Sequence, residues 1–434
     1  MDCLNGKPPG WPWPDPDYPT LEEPAMLQIH PVVDEGLGNS AYVVELDDGR
    51  ALVVDPARDP TPYLQLARWR RLQIVYTAET HLHADFLTGS RELAAAEGAH
   101  VFAPRASRLG FAHRGLEDGQ EVDLGGLTLQ VLATPGHAPE HASYLLLDGR
   151  RPLALFSGGA LLVGTVARTD LAGPELTEPL ARAAYRSLHQ RLLSLPDELA
   201  VYPTHGAGSF CAAPAGGERT TTIGAERRHN RLLAAPDEDA FVAQLLAGFG
   251  SYPPYFLRLR DRNRVGPELL GRDWKVLPLL STDKVQRHLA GGGVVIDVRP
   301  ITGFAAGHIP GALSIALRPA FASWLGWLVD DTRPLLFVLD EDQDRGELAR
   351  QCRTVGYDQL QRGNPADAPQ LVPAVQRVIA LTGRPPGTVV GDRGFGTAAN
   401  DQAVEALGSS GSGCSAPARR ARRDWSTSGA GGSG

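Results

Sequence analysis

Thr80-His81-Leu82-His83-Ala84-Asp85-Phe86-Leu87-Thr88-Gly89 sets two histidines and an aspartate on alternate positions of one short stretch. The apolar run before it, Leu72 to Ala78, predicts a buried strand, and Ser90 to Glu97 after it predicts a helix, so His-x-His-x-Asp falls on the turn between them. Loops at the carboxyl ends of strands are where sites are built. From a tight turn two imidazoles and a carboxylate can aim at one point, and that donor mixture suits zinc or iron. One such cluster cannot close a site alone.

Partners lie further along. His137 follows the apolar run to Ala133 through a Thr-Pro-Gly turn, and His205 follows Val201-Tyr202-Pro203-Thr204 in the same way. Three histidine-bearing turns, each after a strand-like run, predict one shared face.

The 434 residues exceed one domain by the length prior, and 42% apolar content is ample for two cores. A formal charge of −8 argues against nucleic acid as a partner, because neutralising phosphates needs a basic surface. Cys3, Cys211, Cys352 and Cys414 have neither disulfide-scaffold nor zinc-knuckle spacing, which points to a reducing cytoplasm. No apolar run approaches the ~20 residues that span a bilayer, so no membrane partner is expected. The proline-rich segment 1–25 lacks the order of a signal peptide and is expected to be a disordered leader; Met26, just before the first strand-like pattern, is the expected start of translation.

From Leu27 to Asp55 alternating runs separated by Asp47-Asp48-Gly49-Arg50 predict strands and a hairpin. Tyr63 to Arg70 predicts a helix, and further strands are expected at 101–103, 127–132, 142–147 and 153–156. Many strands with helices interspersed suit an α/β sandwich of two mixed sheets with helices outside.

His81-Leu82-His83-Ala84-Asp85, Thr134-Pro135-Gly136-His137, Ser157-Gly158-Gly159-Ala160 with Ala167-Arg168-Thr169-Asp170, and Tyr202-Pro203-Thr204-His205-Gly206 resemble the ordered motifs of the metallo-β-lactamase superfamily. More narrowly they are similar to its sulfur (persulfide) dioxygenase branch. The resemblance spans about Met26 to Pro236 and implies an αββα sandwich, here given the bounds 26–266. Two departures stand out: Phe86 where the family motif continues to a further histidine, and Gly159 where it places an aspartate. Both count against a centre of two metals. The resemblance implies that His81, His83 and His137 fill the first site around one iron (Fe²⁺) or zinc ion. Three neutral ligands leave the full charge of the ion, which favours an anionic fourth ligand. Asp85 and His205 are expected as proton-handling groups. Arg168 could clamp a substrate carboxylate or pair internally with Asp170. The helical region after Ala213 would cap the domain, with Arg227, Arg228, His229 and Asn230 near the site mouth.

A second domain is expected over 276–382. Val294-Val295-Ile296-Asp297-Val298-Arg299 and Phe304-Ala305-Ala306-Gly307-His308-Ile309-Pro310-Gly311-Ala312 resemble the rhodanese domain, a smaller α/β fold that carries sulfur on a cysteine. Where that cysteine would follow Leu335 to Leu339, this chain has Asp340, in a loop with four carboxylates over six positions, which repels an anionic sulfur donor. The domain is expected to be incomplete and inactive, and 383–434, with its basic run 416–423, a disordered tail.

These readings converge on a cytoplasmic enzyme that oxidises a small sulfur-containing substrate such as glutathione persulfide to sulfite. A zinc-dependent hydrolase of a glutathione thioester and a non-catalytic binding protein stay open, as does assembly into a homo-oligomer.

Overall fold

The computed structural model describes residues 27–211, 217–271, 274–277, 279–358 and 360–363, with short pieces at 376, 388–391, 402–403, 405–408 and 410–413. The expected leader and the basic run 416–423 lie outside the described residues.

Two compact units are present. The first runs to residue 273 and also takes in 318–330 and 350–357. Its first sheet begins as an antiparallel meander of β1 (Ile29–Asp34), β2 (Asn39–Glu45) and β3 (Arg50–Val54), with the expected Asp-Gly turn between β2 and β3. β4 (Gln73–Ala78), β5 (His100–Pro104) and β6 (Arg114–Leu116) continue it in parallel. Parallel neighbours need crossovers. α1 (Thr61–Arg70) supplies the first and α2 (Ser90–Glu97) the second.

The second sheet is an antiparallel run of β7 (Glu121–Asp123), β8 (Leu127–Ala133), β9 (Ala142–Asp148) and β10 (Arg151–Gly158). α3 (Pro174–Gln190) then carries the chain to β11 (Ala200–Pro203), parallel to β10, and β12 (Thr221–Thr222) closes that edge. Among the described residues each sheet has six strands.

Strand alternation decides which face each residue serves. Tyr42 and Val44 of β2, with Leu46 just beyond it, meet Tyr144 and Leu146 of β9 between the sheets, while Ala41 and Val43 turn outward to Tyr63 and Leu66 of α1. Leu145 and Leu147 pack outward with Ala181, Ala184 and Leu188 of α3 and with Phe241 of α5 (Glu238–Ala247). The two sheets therefore share one core with helices on both outer faces, as expected. At about 1.5–3 kcal/mol for each large apolar side chain fully buried, this layer dominates the stability of the unit. α4 (Ile223–His229) and α6 (Phe256–Val265) complete the sandwich portion. The sequence reading assigned no element to 174–190, where Pro179 sits inside the helical pattern.

The second unit is built on a parallel sheet of order β13-β17-β16-β14-β15, from β13 (Leu279–Leu280), β14 (Val294–Asp297), β15 (Leu313–Ser314), β16 (Leu335–Val338) and β17 (Leu360–Gly363). β14 and β16 are buried along their whole length, as central parallel strands covered on both faces must be. α7 (Thr282–Ala290) and α8 (Ile301–Ala306) lie between the strands in sequence. α9 (Phe321–Leu328) belongs with the first unit, and α10 (Arg345–Thr354) divides its residues between the two. Within the expected tail, β18 (Thr388–Gly391) pairs in parallel with β19 (Ser410–Gly413), so that stretch is not wholly without structure. No helix among the described residues is long and apolar enough to cross a membrane.

Candidate metal centre

Strand ends of both sheets converge at one edge of the sandwich. Asp55 follows β3, Thr80 and His81 follow β4, His137 follows β8, Gly159 follows β10 and His205 follows β11, while Asn39 opens β2. Backbone bonds tie these ends together: Ala142 N–H donates to Thr80 O at 2.9 Å, Thr204 N–H to Gly158 O at 3.0 Å and Ser40 N–H to Thr204 O at 2.8 Å. Gly38, at φ +71°, makes the approach of the last two loops feasible, because a Cβ there would fall 2.3 Å from Ser209 N.

Five histidines are buried side by side: His81, His83, His137, His141 and His205. The ligand atoms of His81, His137 and His205 lie within 4.8 Å of one another. Each of the three anchors its Nδ1 elsewhere: His81 on Thr80 Oγ1 at 2.8 Å, His137 on Arg168 O at 2.7 Å and His205 on Asn39 Oδ1 at 2.9 Å. Thr80 Oγ1 gives its own proton to Asp55 Oδ2, so it accepts from His81. The Nδ1–H tautomer is thereby fixed in all three rings and the Nε2 lone pair is left for the centre, the arrangement that orients metal-binding histidines. His81 Nε2 and His205 Nε2 are 3.4 Å apart, against about 3.4 Å for two corners of a tetrahedron around an ion bonded at about 2.1 Å. Burial first, and then neighbouring imidazoles, holds His81 and His137 well below the ordinary histidine pKa, so both are neutral donors. The donor chemistry fits a metal ion.

His83 departs from expectation. The trio His81, His83 and His137 is not among the groups whose ligand atoms converge; His83 joins Asp55 and His81, or Asp85 and His205. Its Nε2 lies 3.2 Å from Asp55 Oδ1 and 3.3 Å from Glu79 Oε2, and its ring stacks on Phe86 at 4.2 Å. Burial opposes charge on His83, but the two carboxylates push its pKa up to about 10. Asp55 sits at φ +50° and also accepts from Thr80 N, Thr80 Oγ1 and Thr204 Oγ1, so its oxygens are already engaged. His205, expected to handle protons, instead takes the third place in the converging set.

Asp85 lies beside it. Its Oδ2 accepts from Asn39 Nδ2 at 2.8 Å and stands 3.3 Å from His205 Nδ1, whereas its buried Oδ1 has no hydrogen-bond partner. Although burial opposes ionisation, His205 and His83 hold its carboxyl below the usual range.

Residues 34–205 match the metallo-beta-lactamase superfamily model and residues 281–362 the rhodanese-like domain model. The chain joins a metallo-β-lactamase domain to a rhodanese-like domain. A solved metallo-beta-lactamase from Staphylococcus aureus subsp. aureus COL superposes with a TM-score of 0.70 at 26% identity, covering 79% of this chain and 99% of that one. The mitochondrial persulfide dioxygenase ETHE1 of Homo sapiens is 31% identical over 172 residues, 39% of this chain and 64% of its own length. A hydroxyacylglutathione hydrolase of Pseudomonas entomophila is 35% identical over 156 residues, 36% of this chain and 57% of its own. This chain thus spans less than two thirds of the curated relatives it matches.

In the metallo-β-lactamase domain Arg168 is committed inward. Its Nε and Nη2 each donate to Asp170 at 2.7 Å, Nη1 donates to Phe210 O, Nη2 also reaches Gly250 O, and the guanidinium lies 4.5 Å from the centre of the Tyr252 ring. With every arm of the fork used and 5% exposure, it does not clamp a substrate; the internal pair with Asp170 is the alternative that holds. Arg227 pairs with Asp197, and Asn230 bonds Thr165 O and Glu226, so α4 braces its own surroundings. The residue that reaches the histidine turn is Asn263 of α6. Its Nδ2 donates to His83 O and Phe86 O, both at 2.8 Å, and its Oδ1 accepts from Thr88 N at 2.9 Å.

His141 was also missed. Gly159 N–H donates to its Nε2 at 2.9 Å, and its Nδ1 bonds Thr134 Oγ1, so neither nitrogen is free for a metal. Burial lowers its pKa to about 3. Nothing in the sequence separates this histidine from His137, four residues earlier. Asn39, Asp55, Glu79 and Asn263 were missed because only the fold brings them here.

In the rhodanese-like domain Asp340 lies just beyond β16, its N–H donating to Gln343 Oε1 at 3.0 Å while Gln343 Nε2 donates to Val298 O at 2.8 Å. Glutamine and carboxylate thus fill the loop where a sulfur-carrying cysteine was sought. Cys352 is fully buried within α10, and burial pushes its thiol far up.

Proposed function

We propose that this chain is a mononuclear metal-dependent oxygenase of small persulfides, acting on glutathione persulfide or a close analogue. The activity is the one carried in the name of the ETHE1 relative. The observation that carries this reading is the group of three converging imidazole nitrogens, His81, His137 and His205: the two other converging groups among the described residues both need His83, which lies against Asp55 and Glu79 and stacks on Phe86, and Gly159 offers no donor. Each turnover would consume one persulfide, one O₂ and one water and release one thiol and one sulfite with two protons.

His81, His137 and His205 would hold the ion. A ferrous ion bound there would supply open coordination positions and redox activity, the net electrons for O₂ coming from the outer sulfur of the persulfide. The protein supplies the rest. Thr80 with Asp55, and Asn39 with Asp85, fix the ring orientations, and burial of the cluster keeps bulk water away. Asp85 Oδ1 is a buried acceptor without a hydrogen-bond partner and would take a proton from an incoming thiol or persulfide.

A second reading is favoured by the 3.4 Å spacing of His81 and His205, which suits tetrahedral zinc, and by the hydroxyacylglutathione hydrolase relative. A zinc ion on three histidines supplies a bound water of lowered pKa for thioester cleavage. Oxygen uptake and sulfite release with glutathione persulfide, together with iron in the purified protein, is the expected result. Thioester cleavage without oxygen uptake would replace it with the hydrolase, and neither activity in metal-loaded protein would leave a binding protein.

A further inference from the structure

The metal centre has room for a carboxylate donor only in principle. Gly159 lies against His137 and His141, and a Cβ on it would lie 2.4 Å from His137 Cδ2 and 2.8 Å from His137 Cγ. The space a donor at 159 would use is occupied by a ring that already points its own Nε2 inward. Its amide is turned the other way, to His141. The centre is therefore closed on this side by packing, and an ion placed there must find its third ligand elsewhere.

Two further histidine rings adjoin His81, that of His83 at 4.2 Å and that of His205 at 5.4 Å. His83 is held between Asp55 and Glu79, stacked on Phe86, and its carboxylate neighbours are themselves fixed by Thr80, Thr204, Thr88 and Ser90. Turning it toward the ion would take its Nε2 away from Asp55 Oδ1 and Glu79 Oε2, which it faces at 3.2 and 3.3 Å. His205 meets its own carboxylate through the other nitrogen: Nδ1 stands 3.3 Å from Asp85 Oδ2, which leaves Nε2 for the ion. Asn39 accepts from its Nδ1 and donates to Asp85, and its Nε2 already faces His81 Nε2 and the His137 ring.

We propose that His205 replaces a carboxylate as the third ligand, so that His81, His137 and His205 form a neutral three-nitrogen site that selects anionic sulfur, a thiolate or persulfide anion, as its fourth ligand. With no anionic ligand the ion keeps its full double charge, which attracts an anion more strongly than a site neutralised by a carboxylate does. His83 is then a packing partner of Asp55, Glu79 and Phe86 outside the ligand set. This inference rests on the metal-binding part of the proposed function and is independent of whether O₂ or water is the second reactant.

Cobalt(II) and copper(II) loading of the full chain tests it. Copper-loaded wild-type protein examined by pulsed electron paramagnetic resonance is expected to show three coordinated imidazoles; two would overturn the proposal without any variant. Cobalt-loaded wild-type protein is expected to bind one ion, and titration with 2-mercaptoethanol is expected to produce a thiolate-to-metal charge-transfer band. His205→Gly is expected to weaken cobalt binding by on the order of 100-fold or more, with free imidazole restoring both affinity and spectrum. Unchanged affinity and spectrum in a folded His205→Gly protein, or a thiol titration that leaves the spectrum unchanged, would overturn it. Failure of wild-type protein to bind cobalt at all would sink the metal reading itself, and this inference with it.

Discussion

The ring of His137 occupies the space into which a side chain on Gly159 would have to grow, with 2.4 Å between its Cδ2 and the position of that Cβ. Restoring an aspartate at this position is therefore not a repair. Gly159→Asp is expected to displace His137, to lower rather than raise metal content, and to cost about 1–3 kcal/mol by overpacking. Metal analysis beside a urea melt checks both; a variant that binds more metal with unchanged stability would show that the ring yields freely.

Asn39 joins His205 to Asp85 through the two ends of one amide. Asn39→Ala releases the His205 ring and strands the Asp85 carboxylate. Metal affinity is expected to fall about 10- to 100-fold, the usual effect of losing an outer partner of a metal-binding histidine. Competition with a chromophoric chelator measures it, and affinity within twofold of wild type would mean that packing alone orients the ring.

Removing His141 leaves the Gly159 N–H buried without an acceptor and Thr134 without its partner. His141→Ala is expected to lower stability by about 2–4 kcal/mol, from the lost bonds and the cavity together, while metal stoichiometry stays at one. Loss of the metal in a folded variant would move His141 from structural support into the ligand set.

Arg168 ties Asp170 to the carbonyls of Phe210 and Gly250. Arg168→Lys keeps the charge but not the fork, and is expected to destabilise the domain by about 2–3 kcal/mol. With any active substrate KM should stay near the wild-type value in the folded fraction. A large rise in KM with unchanged stability would restore Arg168 to the substrate.

The rhodanese-like domain is expected to form no thiocyanate from thiosulfate and cyanide, because Asp340 and Gln343 occupy the loop and Cys352 is sealed in α10. Activity that survives Cys352→Ser would require another sulfur carrier in the chain; activity lost in that variant would mean that α10 opens.

The sequence by itself determined the class of the fold and the neighbourhood of the site. Period-two alternation marks β8 and near-continuous apolar runs mark β2 and β9 without reference to any partner, and a histidine placed directly after an apolar run must lie at a strand end. His81, His83, Asp85, His137 and His205 were legible for that reason, since strand ends of one sandwich edge share a face. Roles among them were not legible. Whether His83 or His205 offers a lone pair to the centre depends on Asp55, Glu79 and Asn39, residues whose ordinary spacing in the chain carries no signal. Arg168 likewise could be read either way until Phe210, Gly250 and Tyr252 closed around it. The assignment of Arg318–Asp330 and Arg350–Tyr357 to the first unit was equally hidden, because local pattern records which face of an element is apolar and not which surface covers it. Hydrogen-bond direction and packing around a buried ring are set by residues distant in sequence, and only the tertiary structure brings them together.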